Sequence, residues 1–306
     1  MKILVTDPLA EESILEMRKV GLDVTVKTGL KPEVLIELIP PFEVLAVRSQ
    51  TKVTAAVIAA AKNLKLIVRA GVGLDNVDAA AAQKANIRVE NTPNATTVSV
   101  AEHTFALMLS LARKIPQAYS SLRSGEWDRK TYQGVELKGK TLAVIGLGRI
   151  GQEVAKRAKA FGMHVIVNDQ IQDQEIAEAL EIEHFPLEHV VTQADFVTLH
   201  IPLDKTTHHL FNLKLLKQMK KGSFLINASR GGIVDESALT QVLQEGPLAG
   251  AAMDVFEQEP PAKDNPLLKL PNMIGVPHLG ATTSEGQSRA GQEAARIIVE
   301  FAKNSV

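Results

Sequence analysis

The chain has 306 residues and no cysteine, which excludes disulfides, thiolate metal sites and a cysteine nucleophile. Aromatic residues are scarce. Nine Phe, two Tyr and one Trp are too few for a platform on which nucleic-acid bases stack. Neither sign of charge dominates: Lys+Arg 34 against Asp+Glu 35 leaves a net charge of −1. A basic face for phosphate backbones is therefore absent, and no nucleic-acid partner is expected. No apolar run approaches the ~18 residues of a membrane span. The opening MKILVTDPLA runs straight into a strand-like segment rather than a basic region followed by a long apolar stretch, so neither a signal peptide nor a membrane partner is expected. Low-complexity linkers, basic tails and short repeats are also missing. What remains is ordinary globular composition, 45% hydrophobic and 23% charged. Single cores stop growing at roughly 250–300 residues, so two domains are expected, in a cytoplasmic protein.

Short β-branched runs alternate with helical stretches from the first residue. Strands are predicted at Lys2–Thr6, Val24–Lys27, Val44–Val47, Leu66–Val68 and Ile87–Glu90, with helices such as Glu11–Val20 and Thr54–Lys62 between them. A second series follows at Thr141–Ile145, His164–Asn168, Phe196–Ile201, Phe224–Asn227, Ala249–Asp254 and Met273–Val276. Helices are predicted there at Gln152–Phe161, Leu213–Met219 and Glu236–Gln244, and a final one at Ser284–Ala302. Such alternation indicates βαβ units and parallel sheets. The fold class is α/β, with two doubly wound parallel-sheet domains. Between the two series, Val98–Arg113 is apolar nearly all round a helix, which predicts burial against a second domain or a second subunit. The chain crossings near Pro93–Thr97 and His278–Thr283 divide it into a discontinuous domain, 1–97 plus 281–306, and an inserted domain, 98–280.

Residues 141–151 read TLAVIGLGRIG, so Gly146, Gly148 and Gly151 form G-x-G-x-x-G between a strand and a helix. That setting suits a dinucleotide. The first glycine permits a tight turn, the second lets backbone approach a pyrophosphate, and the third lets helix and strand pack closely. Asp169 ends the next predicted strand, 18 residues past Gly151, where a carboxylate accepts hydrogen bonds from the adenosine ribose. It repels a 2′-phosphate, and the adjacent Gln170 offers no compensating charge, so the expected cofactor is NAD rather than NADP.

Three further segments place polar groups at strand ends of the second series: SFLINASRGGIVDE, AAMDVFEQEPP and MIGVPHLGA. They carry Arg230, Asp254 and Glu259, and His278. A guanidinium can hold a carboxylate bidentately and polarise an adjacent carbonyl. Histidine can take a proton from a hydroxyl or return one, and a neighbouring carboxylate orients its ring. Together they suit interconversion of an alcohol and a ketone beside a carboxylate, with hydride passing to or from a nicotinamide. Each has an ordinary alternative: a surface ion-pair partner for Arg230, a loop charge for Glu259, a turn residue for His278. His103, on the apolar helix, and His200, after a strand, read as structural residues, and no spacing of His, Asp and Glu resembles a metal site.

With these residues in hand, the chain resembles the D-2-hydroxyacid dehydrogenase family over essentially its whole length. The stretches that carry the resemblance include VRSQTKVT, VRAGVGLDNVD, ENTPNATTVSVAEHT, GEWDRKTYQGVELKGKTLAVIGLGRIGQEV, ASRGGIVDE, DVFEQEPP and PHLGATTSEGQSRAG. Within the family it is most similar to the branch that oxidises 3-phosphoglycerate at the entry to serine synthesis. The resemblance implies a flavodoxin-like substrate domain and a Rossmann NAD-binding domain. It implies catalysis by Arg230, Glu259 and His278. It also implies NAD contacts from Arg149, Ile150, Asp169, Ile201, Pro202, Thr207, Ala228, Arg230 and Asp254, with His278 and Gly280 near the nicotinamide. Family members form homodimers, or homotetramers built from them, through the region of the apolar helix.

Arg48 and Arg69 each follow a strand of the first domain and can project into an interdomain crevice. Two arginines suit a phosphorylated small-molecule 2-hydroxy acid, which carries a phosphate as well as a carboxylate. Backbone N–H groups of Val72 and Gly73 can hold the carboxylate, and the resemblance adds Arg129 and Gln287 to the substrate contacts. The chain departs from this branch at Thr96 and Val98, where many relatives carry Asn and some carry Arg. The sequence ends after the final helix, so the serine-sensing regulatory domain of longer relatives is not expected. Two other readings stay open: a glyoxylate/hydroxypyruvate reductase or D-lactate-type enzyme, and an NAD-sensing protein of the corepressor type.

Overall fold

The structure, a computed structural model, describes residues 1–171 and 173–304; residues 172, 305 and 306 of the expected domains lie outside that description. It divides into two compact units, one formed by Met1–Thr97 with the segment from Ala281 onward, the other by Val98–Gly280.

In the first unit, β1 (Lys2–Val5), β2 (Asp23–Val26), β3 (Val44–Val47), β4 (Leu66–Arg69) and β5 (Arg88–Asn91) form a parallel sheet in the order β2-β1-β3-β4-β5. This is the flavodoxin-like winding, with its switch point between β1 and β3. The inner strands β1, β3 and β4 are covered on both faces and consequently read as apolar runs, broken only by Lys2 at the start of β1 and Arg69 at the end of β4. On one face lie α2 (Pro32–Leu38), α3 (Ala55–Ala60) and α4 (Ala79–Lys84), whose Leu35, Val57, Ile58 and Ala82 join Leu4, Leu45 and Ile67 in one core. On the other, α1 (Glu11–Lys19) and the closing helix Ser284–Lys303 bury Met17, Ala290, Ala294, Ala295 and Ile298 against Ile3, Val5, Val44, Leu66 and Val68. The two helices meet closely: a Cβ on Gly291 would stand 2.7 Å from Ser13 Oγ.

The second unit begins within α5 (Thr97–Arg113), one residue in, and continues with α6 (Ile115–Arg123). Its strands are β6 (Thr141–Ile145), β7 (His164–Asn168), β8 (Glu183–His184), β9 (Phe196–Leu199), β10 (Phe224–Asn227), β11 (Gly250–Met253) and β12 (Met273–Gly275). They form a parallel sheet in the order β12-β11-β10-β9-β6-β7-β8, which reverses direction between β6 and β9. Helices α7 (Arg149–Ala160), α8 (Gln174–Leu180), α9 (Leu187–Gln193), α10 (Leu213–Lys217) and α11 (Glu236–Glu245) complete the winding. Side chains of Asp173, Asn212 and Asp235 cap α8, α10 and α11 by accepting the N–H three residues on.

The apolar helix finds its partner inside its own unit. Ala101, Phe105, Leu107, Met108 and Leu111 of α5 pack with Leu142, Val144, Phe196, Ile226, Ala252 and Ile274 of the sheet. Part of the expected burial is therefore supplied by the second unit's own core. Large apolar side chains left exposed include Val98 on α5 itself and Ile115, Tyr119, Leu122 and Trp127 on α6 and the loop after it. Among the described residues no helix is long and apolar enough to cross a membrane.

Candidate active site

Every expected functional residue of the second unit except Arg129 lies at or beyond the carboxyl end of a strand, where open α/β sheets bind ligands. The three motif glycines are there for three different reasons. Gly146 has φ +94°, and a Cβ on it would stand 2.5 Å from the carbonyl oxygen of His200. Gly151 is buried against the same turn, where a Cβ would collide with the Gly146 carbonyl oxygen. Gly148, by contrast, is exposed, with nothing within 4 Å of its Cβ position. It precedes α7, whose first turn has no side-chain cap. Free N–H groups at a helix start with open space above a glycine suit a pyrophosphate.

Asp169 is tied to this loop. Its Oδ2 accepts the N–H of Leu147 at 2.5 Å and its Oδ1 that of Ile171 at 2.8 Å. An ionised carboxylate has about four acceptor positions, so room remains for ribose hydroxyls. The observed groups thus fit NAD, and the negative charge disfavours a 2′-phosphate. Arg149 is exposed and Ile150 half-buried at the start of α7. Ile201 and Pro202 follow β9, and the Thr207 hydroxyl is held within that loop, donating to the Pro202 carbonyl at 2.7 Å.

Arg230 lies on the loop after β10, shaped by the buried Asn227. The Asn227 amide donates to the Arg230 carbonyl at 2.8 Å, while its oxygen accepts the Ser229 N–H at 3.1 Å and hydroxyl at 2.9 Å. Ala228 is half-buried on the same loop. At Gly231 this loop presses on the one after β11, since a Cβ there would overlap the Phe256 carbonyl group. That second loop carries Glu259, whose Oε1 accepts the Phe256 N–H at 3.1 Å and whose Oε2 lies 2.8 Å from Nδ1 of His278.

The pair is electrostatically consistent. Hydrogen bonding to Glu259 raises the His278 pKa above its ordinary 6.5, burial opposes this, the charges of Glu259 and Asp254 add to it, and Arg230 works against it. Burial is the largest influence on Glu259 and would raise it, but the hydrogen bond and charge of His278 together with the Phe256 N–H outweigh it, and the carboxyl sits below its usual range. Glu259 therefore stays ionised and accepts only, so Nδ1 carries the proton and Nε2 is left to exchange one. His200 contrasts with His278: its ring, shielded from water with no carboxylate beside it, is pushed down to about 3 by desolvation and stays neutral.

His278 itself has φ +52°, a left-handed conformation uncommon for a non-glycine residue. Asp254, directly after β11, accepts the His278 N–H on its main-chain oxygen at 2.8 Å. Its carboxylate accepts those of Leu279 at 2.6 Å and Gly280 at 2.8 Å.

In the first unit, Arg48 follows β3 and Arg69 is the last residue of β4. Buried Asp7, after β1, accepts the Arg48 N–H at 2.6 Å and the Thr51 hydroxyl at 2.7 Å, and Asn76 donates to the Arg48 carbonyl at 2.7 Å. Burial pulls the Arg48 pKa down against the Asp7 charge, and its Nε is buried without an acceptor among the described residues. The Arg69 guanidinium folds over Gly71, whose φ is +149° and whose Cβ position it occupies with Nη1. Val72 and Gly73 are half-buried in the following turn, Val72 accepting from the Asn91 amide at 2.5 Å. Gln287 sits in the first turn of the closing helix, whereas Arg129 is exposed on a loop of the other unit.

Residues 105–280 match the NAD binding domain of the D-isomer specific 2-hydroxyacid dehydrogenases. The chain belongs to that family. Its relatives among the 2-hydroxyacid dehydrogenases include D-3-phosphoglycerate dehydrogenase of Archaeoglobus fulgidus, 50% identical over 99% of this chain and 58% of that protein. Hydroxypyruvate reductase of Thermotoga maritima is 45% identical over 95% of each chain. The crystal structure of a Thermus thermophilus protein superposes with a TM-score of 0.91, at 36% identity, covering 99% of this chain and 97% of that one. The chain spans little more than half the length of the phosphoglycerate dehydrogenases it matches.

Three supporting residues escaped the sequence reading: Asp7, Asn76 and Asn227. Asp and Asn beside strand ends are signals for such loop bonds, but each bonds a loop whose conformation is not written in the sequence.

Proposed function

We propose that the chain catalyses NAD-dependent oxidation of D-3-phosphoglycerate to 3-phosphohydroxypyruvate. The observation that supports this most directly is the 2.8 Å contact between Glu259 and Nδ1 of His278, in the unit that also carries Arg230 and the glycine loop. NAD would be held by the N–H groups around Gly148–Ile150, by Asp169, and by the loops bearing Ile201, Pro202, Thr207, Ala228 and Gly280; its chemistry is acceptance of a hydride from the substrate carbon. Nε2 of neutral His278 takes the hydroxyl proton, and the resulting imidazolium is stabilised by Glu259. Arg230 holds the substrate carboxylate and stabilises the carbonyl dipole as it develops. Arg48 and Arg69 answer the phosphate, Val72 and Gly73 the carboxylate, with Arg129 and Gln287 as further substrate contacts. The division into a substrate domain, 1–97 plus 281–306, and an NAD-binding domain, 98–280, belongs to the same reading.

A second reading, hydroxypyruvate or glyoxylate reduction, is favoured by the Thermotoga relative, which this chain covers over nearly its whole length. The combination of Arg230, Glu259 and His278 argues against a protein that only senses NAD. We also propose a homodimer in which α6 and the loop carrying Trp127, 80% exposed, are covered by a second copy.

The deciding experiment follows NAD reduction with 3-phosphoglycerate, D-glycerate, D-lactate and 2-hydroxyglutarate. The expected result is the highest kcat/KM for 3-phosphoglycerate. A preference for D-glycerate transfers the assignment to the second reading.

A further inference from the structure

His103 has no part in the chemistry above, yet it faces the one carboxylate that organises the turn bearing His278. Asp254 is 1% exposed and receives three successive main-chain N–H groups, those of residues 278, 279 and 280. That turn includes the left-handed His278, a conformation that persists only where its surroundings enforce it. Behind Asp254, on α5, Val100 lies 3.6 Å from the Cβ position of Gly280, and His103, one helical turn on, places Nε2 3.1 Å from Asp254 Oδ1. The contact lies off the axis of a linear hydrogen bond, but it is buried, and Oδ1 is the oxygen that also accepts from Leu279. An ionised carboxylate only accepts, so this face of the His103 ring presents a proton. Without it, Asp254 would keep its negative charge away from water with main-chain donors alone, which is costly.

We propose that His103 is a positioning residue which, through Asp254, holds the 278–280 turn in the form that presents His278. The structural part of this inference stands on the contacts alone; its effect on turnover rests on the function proposed above.

The test uses the full chain and three variants. His103→Leu and His103→Phe remove the donor with different bulk, and His103→Gln retains one. Amide hydrogen exchange without any substrate should be about tenfold faster at Leu279 and Gly280 in whichever donor-less variant stays folded by circular dichroism. The amides of Ala251 and Ala252 in β11 should keep their protection, and His103→Gln should recover most of the loss at 279 and 280. Unchanged exchange at those two amides overturns the proposal, as does acceleration spread evenly over β11 and the turn. In turnover, the donor-less variants should lower kcat more than they weaken NADH binding and should raise the solvent deuterium isotope effect, with Gln restoring both. A change in KM alone overturns the positioning role. If the parent chain oxidises no 2-hydroxy acid, the functional reading fails while the exchange result still decides this one.

Discussion

The two units are built by the same rule and equipped oppositely. Each is a parallel sheet whose order reverses once, and each gathers its candidate functional groups at the carboxyl ends of its strands. In the first unit those ends carry guanidinium groups, Arg48 after β3 and Arg69 closing β4. In the second they carry main-chain N–H groups around Gly148, the carboxylates Asp169, Asp254 and Glu259, and one histidine. The lesson is that the winding decides where a ligand goes, and the loop residues decide which one. Positive charge on one unit suits recognition of an anionic substrate. Preorganised N–H groups and a carboxylate-tuned imidazole on the other suit cofactor binding and proton transfer.

The sharpest way to break this division is at His278. His278→Gln should lower kcat by about 10²–10⁴-fold while NADH binding, followed by fluorescence, changes little; near-normal turnover would remove the histidine from the mechanism. Next comes the first unit. Arg69→Ala should lower kcat/KM for 3-phosphoglycerate by roughly 10–100-fold, the loss of one charge-assisted interaction, and leave D-glycerate almost untouched. Equal losses on both substrates would show that the arginine does not read phosphate.

A smaller effect separates the glycines. Gly148→Ala should retain the parent melting temperature and weaken NADH binding by about tenfold, because its Cβ enters open space that a pyrophosphate would fill. Gly146→Ala should lower the melting temperature, because it meets both positive φ, at about 1–2 kcal/mol, and the His200 carbonyl. The mildest change is a pH shift. With the His278 pKa raised by Glu259, the neutral base needed for oxidation accumulates at higher pH than for an ordinary histidine. The ascending limb of kcat/KM for oxidation should lie there. Glu259→Gln removes the charge and leaves at most a neutral hydrogen bond, without changing the burial, so that limb should move to lower pH; a limb that stays in place would mean that it reports another group.

The comparison also explains what could be read without coordinates. β6, β7 and β10 are found where their apolar runs predict them, because strands covered on both faces advertise themselves by composition alone. Helices α2 and α4, six or seven residues long, and α6 were not anticipated: short helices with Pro32 or Pro116 in the first turn, or four alanines, show little periodicity. The edge strand β8 is a two-residue pairing, Glu183–His184, with no pattern to recognise. At the site, residue types at strand ends were legible, and contacts between loops were not. Sequence spacing separates Glu259 from His278 by 19 residues and His103 from Asp254 by 151. Only the sheet order, which puts β11 beside β12 and α5 over the sheet, turns those separations into contacts.

The closing helix carries a consequence for biosynthesis. The sheet face formed by Ile3, Val5, Val44, Leu66 and Val68 is covered in part by Ala290, Ala294, Ala295 and Ile298, side chains that leave the ribosome long after that sheet. At about 5–20 residues per second, translation keeps that face waiting for roughly 11–46 s after β4 has emerged. Nascent first-unit chains thus hold an apolar sheet face partly uncovered for that interval, while the inserted unit has all its strands in hand by residue 275.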